Sequence, residues 1–179
     1  MADGKDENLK VLDFLEHGRA DEKDEPVAQG IGTENYTLLE VVMREDQRPK
    51  GGEELYIGEG DRPKVKYIKQ KLDFDQLTGT AQSELKYVLD ALITEKEDEF
   101  VDFFNNATPV TPRRHAFELL PGVGSKHMQN LLDEREKQEF QSFEDIKERV
   151  SSLPEPKKLV KDRIMNELKG ETKRKLFTS

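Results

Sequence analysis

The residues of this chain best suited to chemistry are Gly122, Gly124, Ser125 and Lys126, which stand in the run Leu120-Pro121-Gly122-Val123-Gly124-Ser125-Lys126. Glycine reaches positive φ and leaves its backbone N–H uncovered. A helix that begins after such a turn aims its unsatisfied first donors, and the positive end of its dipole, at the same point. The result is a cradle for an anion. A phosphodiester oxygen would meet the amides of Gly122 and Gly124, with Val123 between them in the turn, Ser125 as a further donor and Lys126 as the long-range charge. Arg113 and Arg114 lie a turn or more upstream, and one of them is expected to touch the same backbone. The bland alternative is a turn that only links two packed helices.

Other chemistries have little to stand on. The chain has no cysteine, which removes disulfides, thiolate zinc sites and cysteine nucleophiles, and its three histidines are scattered. No paired-carboxylate, triad or phosphate-loop signature stands out. The expectation is therefore a non-catalytic chain with no cofactor and no metal.

The elements that must position the glycines follow from the flanking pattern. Thr111 and Pro112 read as N-cap and first helical position of a helix, PRRHAFELL, that buries Ala116, Phe117 and Leu120. PGVG stops it, and Met128, Leu131 and Leu132 then recur at helical spacing through Arg135, so the segment predicts helix, tight turn, helix. The pattern LLPGVGSKHMQNLL is similar to the helix-hairpin-helix motif, in which two helices joined by an L-P-G-x-G turn grip a nucleic-acid backbone without reading bases.

A weaker second copy follows. Ser142 and Asp145 form a capping box, Phe143, Ile146, Val150 and Leu153 make an apolar face, and SLPEP leads into a helix bearing Leu159, Val160, Ile164 and Leu168. It lacks both glycines and is expected to complete the fold by packing on the first pair. Lys157, Lys158, Lys161 and Arg163, with Lys173, Arg174 and Lys175 in the tail, either extend the phosphate track or are simply solvated. Asn105 and Asn106 either meet a sugar or phosphate or cap the preceding helix.

The first seventy residues read differently. Leu9–Leu15, Val27–Ile31, Tyr36–Met43, Glu54–Ile57 and Val65–Leu72 are apolar or alternating and are separated by turn-rich stretches such as HGRADEKDEP. Five short strands predict a small OB-like barrel, or else an ordinary small sheet with solvated loops. Lys64, Lys66 and Lys69, interleaved with Val65, Tyr67 and Ile68, are possible barrel contacts to nucleic acid. From Asp73 the texture turns helical, with Leu85, Val88, Leu89, Leu92 and Ile93, then Phe100, Phe103 and Phe104, in a stripe read as core. ATPVTP interrupts it. The expected class is α+β: an OB-like β-barrel over 1–72, a helical connector over 73–107, a tandem helix-hairpin-helix over 108–170 and a basic tail over 171–179.

Composition constrains this further. Of 179 residues, 34% are hydrophobic and 37% charged, against about 45% (counting glycine) and about 25% in an ordinary domain, so a small core is expected and not a single large enzyme core. The net charge of -9 argues against nucleic acid until it is divided along the chain. Met1 to Ala107 carries 14 basic and 26 acidic residues, a net -12, whereas Thr108 to Ser179 carries 15 and 12, a net +3. The deficit belongs to the first part. No apolar run approaches the roughly 18 residues of a membrane span, and MADGKDENLK lacks a signal peptide's apolar stretch, so a soluble, cytoplasmic protein is expected.

The whole chain resembles a family of archaeal proteins of unknown function, described as nucleic-acid- or RNA-binding. The stretches that carry the resemblance are EPVAQGIG, YTLLEV, LYIGEG, LTGTAQSELKYVL, FVDFFNNATPVTPRRHAFELLPGVG and SFEDIKERV. The resemblance implies an N-terminal OB-like barrel and a C-terminal tandem helix-hairpin-helix domain. Its genes tend to lie near those for ribosomal and rRNA-modifying proteins, which implies RNA rather than DNA as partner. The expected function is nucleic-acid backbone binding. The alternatives are an adaptor docking ribosomal or RNA-processing proteins, a DNA-binding repair accessory and, from the same L-P-G-x-G turn, a base-excision glycosylase.

Overall fold

The structure, a computed structural model, describes residues 5–20 and 24–179. The first four residues and the middle of the expected turn HGRADEKDEP lie outside those described. The chain divides into two compact units: Met1–Leu89 with Glu167–Ser179, and Asp90–Asn166.

The first unit is built on strands β1 (Asn8–Leu15), β2 (Val27–Gly32), β3 (Leu38–Met43), β4 (Glu54–Tyr56) and β5 (Val65–Lys71), in the segments that alternation predicts. They form one antiparallel sheet of order β4-β1-β2-β3-β5, curled into a half-barrel whose edges are β4 and β5. Register shifts between Val11 and Asp13 on β1, and at two places along the β3–β5 pair, add the local twist that curling needs. Leu9, Val11, Ala28, Val41, Met43, Leu55, Ile57 and Val65 form one buried cluster.

Residues of the opposite parity on the inner strands are buried too. β2 is covered along its whole length, so both faces of the sheet are packed. Helix α1 (Gly79–Glu95) starts against the second face. The Thr78 hydroxyl donates to Asp13 Oδ2 at 2.6 Å and accepts from the Ala81 N–H, and the Thr78 N–H donates to Gln29 Oε1 at 2.9 Å. Gln29 and Glu40 are both 0% exposed on this face, an arrangement that a buried polar side chain tolerates only with partners. Glu40 accepts from Arg19 Nε at 3.0 Å, Gln29 Nε2 at 3.3 Å and Gln70 Nε2 at 2.7 Å. Burial pushes its carboxyl up, but these three donors together hold it below the ordinary glutamate value.

The segment expected to be a basic tail is docked. The buried Glu167 carboxylate accepts from the backbone amides of Leu176, Phe177 and Thr178 and from the Thr178 hydroxyl, and the Ser179 N–H donates to Asn35 O.

The second unit contains the end of α1, α2 (Glu97–Asn106), a two-stranded ladder of β6 (Pro109–Thr111) and β7 (Arg114–His115), a 3-10 turn (Ala116–Leu119), α3 (Ser125–Lys137), α4 (Phe143–Arg149) and most of α5 (Pro156–Leu168). The phenylalanine stripe is core: Phe104 stacks on Phe117 at 5.7 Å between centroids, and Phe103 meets both rings edge-on. The α-helix expected over PRRHAFELL is not formed. Thr111 Oγ1 does accept backbone N–H groups, from Arg113 at 3.3 Å and Arg114 at 3.0 Å, but the chain turns back as a short hairpin. Only Ala116–Leu119 winds, as a single 3-10 turn. The expected burial of Ala116, Phe117 and Leu120 holds regardless.

Candidate nucleic-acid interface

The glycine turn is set by groups on either side of it. His115 precedes the 3-10 turn, where its Nδ1 accepts the Phe117 N–H at 3.0 Å while Glu118 Oε1 accepts the His115 N–H at 3.0 Å. This is a capping box with histidine in the serine position. Because Nδ1 must be an acceptor, the ring has to be neutral. Burial first and the Arg135 guanidinium second push its pKa below the ordinary histidine value, against the Ala107 carbonyl and Glu118. Sequence reasoning passed over this residue, although the His115–Glu118 spacing was its signal.

Downstream, the Val123 N–H closes on Leu120 O at 3.1 Å and the Val123 side chain is buried, which pins the middle of the turn. Gly122 has φ +87°, in the left-handed region that a side chain rarely adopts. Gly124 was expected to share that freedom but does not use it: φ -99° and ψ -172° place it in extended backbone, as the N-cap of α3. A Cβ on Gly124 would meet nothing within 4 Å.

Among the described residues, no protein group accepts the amides of Gly122 and Gly124. α3 has no side-chain cap and no acidic residue in its first turn, so its dipole end is left uncompensated. Ser125 and Lys126 are exposed beside these amides. The structure thus brings Gly122, Val123, Gly124, Ser125 and Lys126 together at one exposed turn. Arg113 and Arg114 sit on the β6–β7 turn instead of a helix; Arg114 donates to Glu118 O at 3.2 Å, and Arg113 is exposed.

The remaining basic candidates are differently employed. Lys64 pairs with Glu53 at 3.0 Å and Lys69 with Glu25 at 3.3 Å, leaving Lys66 exposed and unpaired among the described residues. Lys66 and Lys69 are the two residues of β5 that the β3 register skips, so they sit on the bulges of that edge. In α5, Lys157 and Lys161 both reach Asp90, Lys158 reaches Asp162, and Arg163 is buried and donates to Leu119 O. Asn105 does neither thing expected of it: its amide clamps Phe140, donating to the carbonyl at 2.9 Å and accepting from the N–H at 2.7 Å. Asn106 turns back on Asp102 O, within its own helix.

The second copy offers no comparable turn. Ser142 Oγ caps α4 by accepting the Asp145 N–H at 2.9 Å, but the return bond of the expected capping box goes one residue upstream, with Asp145 Oδ2 accepting the Gln141 N–H at 2.9 Å. In the loop beyond, Lys147 Nζ donates to the carbonyls of Ser151 and Leu153, and α5 opens on Pro156, which has no N–H. A carbonyl oxygen is an acceptor and offers a phosphate nothing, and here the carbonyls also occupy the Lys147 ammonium.

No helix among the described residues is long and apolar enough to cross a membrane, and no cluster of three or more metal-ligating side chains occurs there.

The model of a family of proteins of unknown function matches residues 5–179. An uncharacterized protein of Methanocaldococcus jannaschii is 39% identical over 167 residues, which are 93% of this chain and 76% of that protein. A crystal structure of an Archaeoglobus fulgidus protein ascribed to DUF655 superposes with a TM-score of 0.89 at 44% identity, covering 97% of this chain and 100% of its own. Both relatives are archaeal.

Proposed function

Since the chain belongs to the family DUF655, whose function is unknown, we propose a role from its own residues: non-catalytic binding of a nucleic-acid backbone at the Gly122–Lys126 turn. The observation that carries this reading is a set of unemployed backbone donors at one exposed point. Gly122 and Gly124 offer free amides, and α3 starts there without a cap or an acidic neighbour. A phosphodiester is a small, fixed anion that such a concavity suits, and it binds without any base being read. In this reading the 3-10 turn, the glycine turn and α3 act as the first hairpin of a helix-hairpin-helix pair, and α4 with α5 as a structural second. The half-barrel is read as OB-like. RNA is preferred as partner on the strength of the sequence resemblance, and Arg113 and Lys126 extend the contact by charge.

The test is fluorescence anisotropy of a labelled RNA hairpin and of a DNA duplex across a salt series. With about two or three phosphates met, the log–log slope against salt should be about -2, and Lys126→Glu should flatten it by about one. Binding that ignores salt, or that depends on base sequence and not on Lys126, overturns the reading.

A further inference from the structure

The half-barrel holds a cavity of about 640 Å³ at the end of the sheet where β2 turns into β3 and where β4 and β5 finish. That volume is in the range of small-ligand sites, and the mouth of a barrel is a common place for one. Leu39 and Ile68 supply apolar walls with the ring of Tyr56, and Leu39 stays only partly buried although it packs on the core cluster.

Three cations, Lys5, Arg62 and Lys71, line the same space. None of them is paired with an acidic side chain among the described residues. Arg62 spends its Nε on the Gly58 carbonyl at 2.8 Å, which leaves its two terminal nitrogens without a protein acceptor among the described residues. Asp6, Glu7, Glu34 and Glu59 also line the cavity, likewise without an ion pair among the described residues, Asp6 accepting the backbone amides of Glu34 and Asn35. Elsewhere on this unit, charges of opposite sign close on each other, as Lys64 does on Glu53 and Lys69 on Glu25. Around this cavity they do not.

Unpaired cations and unpaired carboxylates about an apolar space match a ligand with a flat ring, an anionic group and several neutral donors. We propose that the cavity binds a nucleoside monophosphate, either free or as the terminal residue of a strand. The phosphate meets Arg62 and Lys71, ribose hydroxyls and exocyclic amines donate to the carboxylates, and the base lies against Tyr56 and Ile68. An inorganic anion alone would leave the carboxylates repelling it, and an uncharged nucleoside would leave the cations unmatched. The site shares no residue with the glycine turn, so either can fail without the other.

Isothermal titration of the full chain with AMP, GMP, CMP, UMP, adenosine and inorganic phosphate tests this. The monophosphates should bind one to one below about 1 mM, with adenosine and phosphate each about tenfold weaker or worse. Arg62→Glu and Lys71→Glu should each weaken AMP about tenfold, whereas Lys86→Glu, at an exposed lysine that lines neither the cavity nor the glycine turn, should leave it unchanged. Lys71 is exposed, so its variant keeps the test valid if loss of the Arg62–Gly58 bond disturbs the loop. The proposal is overturned if no monophosphate binds up to about 10 mM, if phosphate alone competes as well as AMP, or if neither charge reversal matters. A 5′-phosphorylated RNA pentamer that binds more tightly than AMP assigns the site to a strand end; equal affinity assigns it to the free nucleotide.

Discussion

Gly124→Ala is the substitution that separates binding from folding in the glycine turn. Gly124 has φ -99° and open space where a Cβ would stand, so alanine fits without strain or collision. Alanine is a poorer N-cap than glycine by about 0.5–1 kcal/mol, while the loss of unfolded-chain freedom returns about 0.4–1 kcal/mol, so the two nearly cancel. Stability by urea denaturation should therefore change by less than about 0.5 kcal/mol. On the proposed reading, the new methyl group stands at the mouth of the cradle and keeps a phosphate from the amides. A hydrogen bond to a charged group is worth about 1.5–3 kcal/mol, so affinity for the RNA hairpin by anisotropy should fall about tenfold or more. Gly122→Ala is the contrast: with φ +87° it forces a left-handed side-chain residue and should lose about 1–2 kcal/mol of stability as well. If Gly124→Ala leaves both stability and affinity as they were, the amides of this turn do not hold phosphate.

Three further outcomes follow from the buried polar groups. His115 is folded neutral with its pKa depressed, so its contribution is fully present above the unfolded value of about 6.5 and is lost as pH falls from there toward the folded pKa, by up to about 1.4 kcal/mol per pH unit. Thermal melts at pH 8 and pH 5.5 should show this loss in the wild type and less of it in His115→Asn, and equal pH profiles refute it. Glu40→Ala should cost about 3 kcal/mol by urea denaturation, since it removes the buried carboxylate to which Arg19, Gln29 and Gln70 donate. The depressed Glu40 carboxyl also makes stability present above the unfolded value of about 4.5 and lost as pH falls through the folded one, a decline that should shrink in the variant. Asn105→Ala removes both bonds to the Phe140 backbone and should cost about 2 kcal/mol while leaving RNA affinity unchanged; a selective loss of affinity would return Asn105 to the interface.

Local pattern made the sheet legible. β1 to β5 are each short, apolar or alternating, and bounded by turn residues, which places them without tertiary knowledge. The phenylalanine stripe of α2 was legible for the same reason at a period of 3.6. The PRRHAFELL segment misleads because a threonine that accepts the next backbone amides looks alike in an N-cap and in a tight turn; the ladder at His115 decides between them, and that pairing is tertiary. The cradle residues were readable as a motif, yet the split between a left-handed Gly122 and an extended Gly124 depends on how Val123 is buried. The lysines of α5 look free in sequence, because Asp90 lies 67 and 71 residues from Lys157 and Lys161. Glu167 shows the same limit: nothing local marks it as the acceptor that ties down Leu176, Phe177 and Thr178.

The claim that a nucleic-acid backbone is held by the amides of one turn can be observed amide by amide. Titrating a structured RNA into the uniformly nitrogen-15-labelled chain and following the backbone N–H signals should move Gly122, Gly124, Ser125 and Lys126 first and furthest. Asn105 and the α4–α5 loop should stay in place, and the Gly122–Lys126 shifts should collapse as salt is raised. Saturable shifts that leave Gly122 and Gly124 unmoved, or no shifts at concentrations where the RNA is bound, contradict the account.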